Sequence, residues 1–304
     1  MAAPMRSTDF RAIVEPIMNE EFNGVYDQRA DEFAQVFKEF KGIPRNYHEE
    51  PVLYGFGAAP ELPDGMPVTY QSGGVLFIQR YLYKVYGLAF ALTKVLVEDG
   101  DHIRVGQTYA RHLAQSLIET KETLGANILN RAFNGSYLGG DGVALCVNNH
   151  PTATGTFSNV LTTPANLSQT SLEQLLIQIR NAVDNNGKRI RLTPKKIVTG
   201  PSNVFQAEVL LKSALRAGTA NNDINPVKSM GLLSEGQANV SRITSSTSWF
   251  IQTDAPEGLK LAMRRGLEKS MEGDFETDSM RYKATERYAF GWTDPRGLYG
   301  TPGV

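Results

Sequence analysis

Apolar and polar residues alternate with a helical period near the start of the chain. Over residues 26–41 the aromatic and small side chains recur every three or four positions, and charged residues occupy the other faces. This period is typical of an amphipathic helix. We therefore expect a helix over 26–41 that ends at Gly42. Its apolar stripe consists of Tyr26, Ala30, Phe33, Phe37 and Phe40.

Two different partners could cover this stripe. A helix with one apolar face usually packs on its own domain. Alternatively, it is an arm that buries its aromatic side chains against a neighbouring subunit. Pro44 and the turn-rich residues that follow it favour a separable arm. Both interpretations stay open at this level.

The strongest helical pattern covers residues 103–133. Apolar side chains between Tyr109 and Phe133 fall on one face, and charged or amide side chains fall on the others. About 30 residues at roughly 1.5 Å each make a rod of about 45 Å. A rod of this length with a single apolar face is expected to lie across a β-sheet.

Strand patterns follow a segment that is rich in glycine and proline. Residues 49–74 contain many helix breakers, whereas residues 75–97 are rich in β-branched and aromatic side chains. This order predicts an extended hairpin that projects from the body of the protein. Shorter strand and helix patterns alternate in unequal blocks over the remaining chain, which indicates an α+β fold.

Composition narrows the function classes. The 304 residues include 31 Lys and Arg against 32 Asp and Glu, so the chain is not a polycation built to grip nucleic acid. The single cysteine, Cys146, excludes an intrachain disulfide and a cysteine-rich zinc site. Arg6 and Asp9 interrupt the apolar run that a secretory signal needs. We therefore expect a cytoplasmic chain without a membrane segment.

Catalytic chemistry has a weak signature in this sequence. The nearest approach to a nucleophile pair is Cys146 with His150 four residues later. Catalytic cysteine and histidine residues are usually distant in sequence and are brought together by the fold. We therefore interpret Cys146 as an inert, semi-buried thiol. The alternative function class is a hydrolase that uses Cys146 and His150. We expect no cofactor and no metal site.

Five segments carry a resemblance to a known family. They read MRSTDFR at 5–11, VYDQRADE at 25–32, YGLAFALTKVLVEDG at 86–100, NNHPT at 148–152 and RYAFGWTDPR at 287–296. In this joint order they resemble the major head protein of Mu-like tailed phages, which has the HK97-type capsid fold. The resemblance covers nearly the whole chain and implies a structural protein rather than an enzyme.

The resemblance also implies a domain plan. It predicts an N-terminal arm over 1–47, an extended hairpin loop over 48–88 and an axial domain over 145–255. The peripheral domain would combine 89–144 with 256–304, with a spine helix at about 103–133. This plan agrees with the helix and strand patterns described above.

The function that the resemblance implies is self-assembly as hexamers and pentamers into an icosahedral head around double-stranded DNA. The protein would be assembled in the host cytoplasm and reside in the virion. Its other partners would be a portal and a separate scaffolding protein, with room for a decoration protein, and its DNA contacts would be weak and non-specific. An encapsulin-like nanocompartment shell is the alternative.

Subunit interfaces are the candidate functional sites on this interpretation. Arm and hairpin aromatic side chains are the expected contacts because large rings contribute most to interface energetics. The candidates are Tyr26, Phe33, Phe37, Phe40, Tyr70, Phe77, Tyr81 and Tyr83.

Overall fold

The computed structural model describes residues 7–28, 31–93, 95–96, 102–216, 223–274 and 279–304. The helices are α1 (Ser7–Tyr26), α2 (His102–Asn130), α3 (Gln169–Arg180), α4 (Val204–Lys212) and α5 (Pro226–Ser229). The strands are β1 (Lys38–Lys41), β2 (Tyr47–Tyr54), β3 (Gly74–Leu82), β4 (Lys84–Leu92), β5 (His150–Thr152), β6 (Gly155–Phe157), β7 (Pro194–Thr199), β8 (Gln237–Asn239), β9 (Trp249–Thr253), β10 (Leu259–Asp274), β11 (Ser279–Trp292) and β12 (Leu298–Thr301). Short 3-10 turns lie at Phe33–Gln35, Pro201–Asn203 and Pro295–Gly297.

The first sheet has the strand order β1-β10-β11-β4. Strands β10 and β11 form a long antiparallel hairpin, and β1 runs parallel to β10 at the edge. Every second side chain of β11 from Tyr282 to Tyr288 is buried, as expected for a strand with one covered face. Helix α2 packs on that face, which confirms the predicted rod.

Helix α1 packs on α2 within the same chain. Val14, Met18 and Phe22 recur at intervals of four and are buried against Leu113 and Leu117 of α2. This spacing places all three on one helical face. The first part of the predicted arm is therefore covered by its own subunit.

The predicted helix over 26–41 is wrong. The helix ends at Tyr26, residues 33–35 form a 3-10 turn, and residues 38–41 form β1. Glu122 of α2 accepts hydrogen bonds from the backbone N–H groups of Glu32 (2.7 Å) and Phe33 (3.1 Å), which satisfies the start of the 3-10 turn. Burial raises the pKa of Glu122, and these two hydrogen bonds oppose that rise.

The second sheet has the strand order β12-β9-β7-β8. Helices α3 and α4 cover it, with Leu172, Leu175 and Ile179 buried against Trp249 and Ile251 of β9. Residues 298–301 lie in the range expected for the peripheral domain, yet they form the edge strand of this sheet. The chain thus returns from the first sheet to the second at its C-terminal end.

A shared core joins the two sheets. Phe37 and Leu129 pack in one cluster with Val198 and Phe250 of the second sheet and with Tyr288 of the first. The end of α2 and the 3-10 turn at 33–35 therefore lie between the sheets. This position explains why Phe33 and Phe37 are buried.

Candidate subunit-contact surfaces

The extended hairpin is the most exposed part of the described structure. Strands β2 and β3 pair antiparallel from Tyr47↔Leu82 to Tyr54↔Gly74, and residues 55–73 connect them. We call residues 55–73 the tip loop. The hairpin is a two-stranded sheet of its own, and no third strand of the described ranges pairs with either of its edges.

A polar cluster anchors the base of the hairpin to the first sheet. Glu50 of β2 lies 2.6 Å from the ammonium nitrogen of Lys260 and accepts a hydrogen bond from Thr293. The hydroxyls of Tyr81 and Thr293 lie 2.6 Å apart. Burial acts to raise the pKa of Glu50, but the hydrogen bonds from Lys260 and Thr293 outweigh it and hold the pKa below its ordinary value. The hairpin base is therefore rigidly attached.

The tip loop is apolar and solvent-exposed. Tyr70 has 96% of its surface exposed, and a groove of about 480 Å³ runs between Phe56 and Tyr70. Such a surface on one segment marks an interaction site. The exposed apolar side chains of the tip loop are Phe56, Leu62, Met66, Val68 and Tyr70.

The structure divides the predicted interface residues into three groups by their exposure. Phe33, Phe37, Tyr81 and Tyr83 are buried inside the subunit and offer no surface to a neighbour. Tyr26, Phe40 and Phe77 are partly buried, and only Tyr70 of the eight is fully open to a partner. For the four buried rings the interface expectation is corrected, because the chain itself covers them.

A second exposed apolar surface is absent from the interface candidates that the sequence predicts. Phe205 and Val209 lie one helical turn apart on α4 and are 83% and 47% exposed. Ile224 and Met230, on either side of α5, are exposed as well. The available signal was the spacing of Phe205 and Val209, which lie on a different face of the helix from the buried Ala207 and Leu210.

Catalytic chemistry has no support at Cys146. Its thiol is buried in the shared core, and burial raises its pKa. The His150 ring lies 2.6 Å from a carboxylate oxygen of Asp141 and 3.2 Å from the amide oxygen of Asn159. Both ring nitrogens are thus engaged in a buried structural network. The described residues form no cluster that could hold a metal ion.

In the part of the chain that the structure describes, no helix is both long enough and apolar enough to cross a bilayer.

Comparisons with solved structures identify the fold. The capsid of the cyanophage P-SCSP1u matches with a TM-score of 0.57 and 11% identity, over 90% of this chain and 88% of that chain. The mature capsid of bacteriophage PhiM1 matches with a TM-score of 0.55 and 10% identity, over 90% and 87%. The capsid of an empty GTA particle matches with a TM-score of 0.54 and 10% identity, over 90% and 89%. At this identity the matches show the fold alone, and they confirm the predicted α+β capsid fold.

The family follows from a second comparison. No curated protein sequence matches the chain. A family model described as phage capsid protein matches residues 81–300, which is most of the chain and includes α2 and the strands from β4 to β11. The chain therefore belongs to the phage capsid protein family and is a shell-forming capsid subunit of the HK97-type fold.

Proposed function

We propose that this chain is the major head subunit of a Mu-like tailed phage. It assembles as hexamers and pentamers into an icosahedral shell that encloses double-stranded DNA. The proposal is carried by the exposure of the tip loop. Residues 55–73 present apolar side chains that the subunit does not cover. Subunits that tile a closed surface must bury area on several sides at once.

The domain plan of the proposal follows the two sheets. Residues 1–47 are the arm, and residues 48–88 are the extended loop. The first sheet with α2 belongs to the peripheral domain (89–144 and 256–304), and the second sheet belongs to the axial domain (145–255). The strand at 298–301 joins the axial side, since it pairs with β9.

The contacts that close the shell are made mainly by exposed edges. Tyr70 at the tip loop and Phe205 on α4 each expose more than four-fifths of their surface, and they lie on different elements of the subunit. Burying such rings between copies would supply hydrophobic stabilisation of roughly 25 cal/mol per Å². Stability then depends on the lattice as well as on the monomer.

Packaged DNA touches the shell weakly on this proposal. A net charge of −1 does not favour release of many counterions from DNA. A shell that adheres little to its contents allows a motor to fill it. The role is structural rather than catalytic, and a portal and a separate scaffolding protein are the other partners in head assembly, with room for a decoration protein. Assembly takes place in the host cytoplasm, and the product is the virion.

Electron microscopy of the purified chain tests the proposal. The chain is expressed alone and then together with its neighbouring genes, and the particles are imaged. We expect icosahedral shells with a portal at one vertex in the second preparation. Small closed shells that enclose a host enzyme would instead support the encapsulin alternative, which the phage capsid match makes less favoured. A chain that stays monomeric under all conditions would contradict both.

A further inference from the structure

A β-bulge concentrates positive charge on the face of the first sheet opposite α2. Met263 pairs with Tyr288, and the next pair is Arg265 with Arg287, so Arg264 is an extra residue in β10. In a bulge, two residues of one strand face one residue of its partner. Arg264 and Arg265 therefore both lie opposite Arg287. We call these three residues the arginine cluster.

The described residues neutralise the arginine cluster only in part. Arg265 lies 2.9 Å from a carboxylate oxygen of Glu268, and Arg287 donates a hydrogen bond of 3.2 Å to the side chain of Asn46. Among the described residues no carboxylate pairs with Arg264 or Arg287. Like charges opposite each other in a sheet are destabilising, so the arrangement favours an anionic partner.

One nitrogen of each guanidinium group lacks an acceptor, although Arg265 also donates a hydrogen bond of 2.9 Å to Thr285 through another nitrogen. The Nε atoms of Arg264, Arg265 and Arg287 are shielded from solvent and donate no hydrogen bond to any described residue. A shielded donor without an acceptor is costly, and most such groups in native proteins are satisfied. Three of them in one place point to a ligand with several acceptor oxygens. Carboxylates meet this requirement, because they can bind a guanidinium through two parallel hydrogen bonds.

The tip loop carries the matching charges. Glu61 and Asp64 are the charged residues of 55–73, both are exposed, and neither has a cationic partner among the described residues. Gly65 has φ +79°, and the N–H of Met66 donates a hydrogen bond of 3.1 Å to the carbonyl of Pro63. This turn presents Asp64 at an outer bend of the loop.

The two charged groups of one subunit lie at opposite ends of its hairpin. The arginine cluster contacts Asn46, which directly precedes β2. The eight residues of β2 separate this base from the tip loop by about 26 Å at roughly 3.3 Å per residue. The strands are paired along this length, so the loop cannot fold back onto its own cluster. The charges can meet only between copies.

We propose that Glu61 and Asp64 of one copy bind the arginine cluster of a second copy. The proposal rests on the proposed function, since it requires subunits that lie side by side in a shell. It adds the charged groups that fix the register of the contact, while the apolar side chains around them supply buried area. Paired charges at an interface determine orientation and exclude wrong partners.

Charge reversal in the full-length chain tests the proposal. Glu61→Lys with Asp64→Lys, and separately Arg264→Glu with Arg287→Glu, should each reduce the yield of shells at least about tenfold. The variant that carries all four changes should recover shells, because the attraction is restored with opposite sign. Sedimentation and electron microscopy measure the yield. Circular dichroism verifies that each subunit is folded, and the loop variants alone carry the test if the sheet variants unfold.

Matched controls use exposed charges elsewhere. The controls are Glu20→Lys on α1 and Lys283→Glu on β11. Each reverses the charge of one exposed residue, as each test substitution does, and should leave the yield of shells unchanged. Normal shells from the loop variant, or no recovery in the fourfold variant, would overturn the proposal. If the cluster variant forms shells but retains less DNA, the cluster binds nucleic acid and the proposal is also overturned. Wild-type chain that forms no particles would contradict the proposed function itself.

A crosslink gives an independent measurement. In the variant with Asp64→Cys and Arg287→Cys, oxidation of assembled particles should produce disulfide-linked multimers on a denaturing gel. The native Cys146 is buried and does not compete. Either single cysteine variant serves as the control and should give no ladder. A double variant whose assembled shells give only monomers would contradict the contact.

Discussion

The ammonium group of Lys121 lies 2.6 Å from a carboxylate oxygen of Glu286, and both side chains are buried. The pair connects α2 to β11. The hydroxyl of Tyr26, at the end of α1, accepts a hydrogen bond of 2.6 Å from Lys121 and donates one to Glu286. Burial and the charge of Glu286 raise the pKa of Tyr26, so this hydroxyl stays protonated and holds the first helix in place.

Removal of one member of this pair should destabilise the subunit strongly. Lys121→Met leaves the Glu286 carboxylate buried without its cation, and we expect a loss of about 3–5 kcal/mol in the free energy of unfolding. The double variant with Glu286→Leu should recover most of that loss. Urea unfolding of the subunit measures both. The exposed pair of Lys212 and Glu208 is the control: Lys212→Met should change stability by less than about 0.5 kcal/mol.

Glu50 should make stability depend on pH at the acidic end. Its pKa is lower in the folded chain than the ordinary value of 4.5. A carboxylate of this kind stabilises the fold above its unfolded pKa, and the contribution is lost as the pH falls through the folded value. We therefore expect the stability difference between wild type and Glu50→Gln to be constant near neutral pH and to shrink below 4.5. Urea unfolding at a series of pH values measures it.

Glu122 provides a comparison of opposite sign. Its pKa is raised in the folded chain, chiefly by burial. Its favourable contribution is therefore complete below the unfolded pKa and is lost as the pH rises through the folded value. The stability of wild type relative to Glu122→Gln should increase on acidification. The same trend for both residues would contradict the assigned directions.

Phe37 should behave as a core residue. It is 5% exposed and packs edge-on against Phe290, with ring centroids 5.0 Å apart. Phe37→Ala creates a cavity in the shared core, and we expect a loss of about 3–5 kcal/mol in unfolding free energy. A stable Phe37→Ala subunit that fails only in assembly would restore the interface interpretation of this residue.

Tyr70 should behave in the opposite way. With 96% of its surface exposed, Tyr70→Ser is expected to change the stability of the subunit by less than about 0.5 kcal/mol. The yield of shells should fall, because the ring is lost from the tip loop. Thermal unfolding and particle yield are measured on the same preparation. Unchanged particles would remove Tyr70 from the interface.

Deletion of residues 1–41 should destabilise the subunit itself. The deletion removes Met18 and Phe22 from the face of α2, Phe37 from the shared core and β1 from the edge of the first sheet. We expect an insoluble product. A soluble, folded product that cannot form shells would instead show that this segment serves mainly as an intersubunit arm.

The sequence predicts local structure well where one period persists. Helix α2 was expected over 103–133 and spans His102–Asn130, because its apolar face repeats for eight turns in a row. The start of α3 is harder to place, because Thr170 and Glu173 have the spacing of a capping box. The side chains of Ser168 and Ser171 form the capping box instead. Either pair satisfies the same local chemistry, so the sequence does not decide between them.

Non-local pairing explains the main errors. The aromatic spacing of Phe33, Phe37 and Phe40 fits a helix, but it equally fits a 3-10 turn that leads into a strand. The choice depends on β1 pairing with β10, more than two hundred residues away. The arginine cluster was likewise invisible, because only the bulge in β10 brings Arg264 and Arg265 opposite Arg287. A pattern of apolar residues shows that a face is covered and leaves open which chain covers it.

The core shared by the two sheets has a mechanical consequence. Because Phe250 of one sheet and Tyr288 of the other pack in the same cluster, neither layer can swing against its neighbour without opening a densely filled interior. Internal pressure in an assembled shell would therefore act on each subunit as on a single rigid body. A change in the curvature of the shell would then require rotation of subunits at the contacts between them.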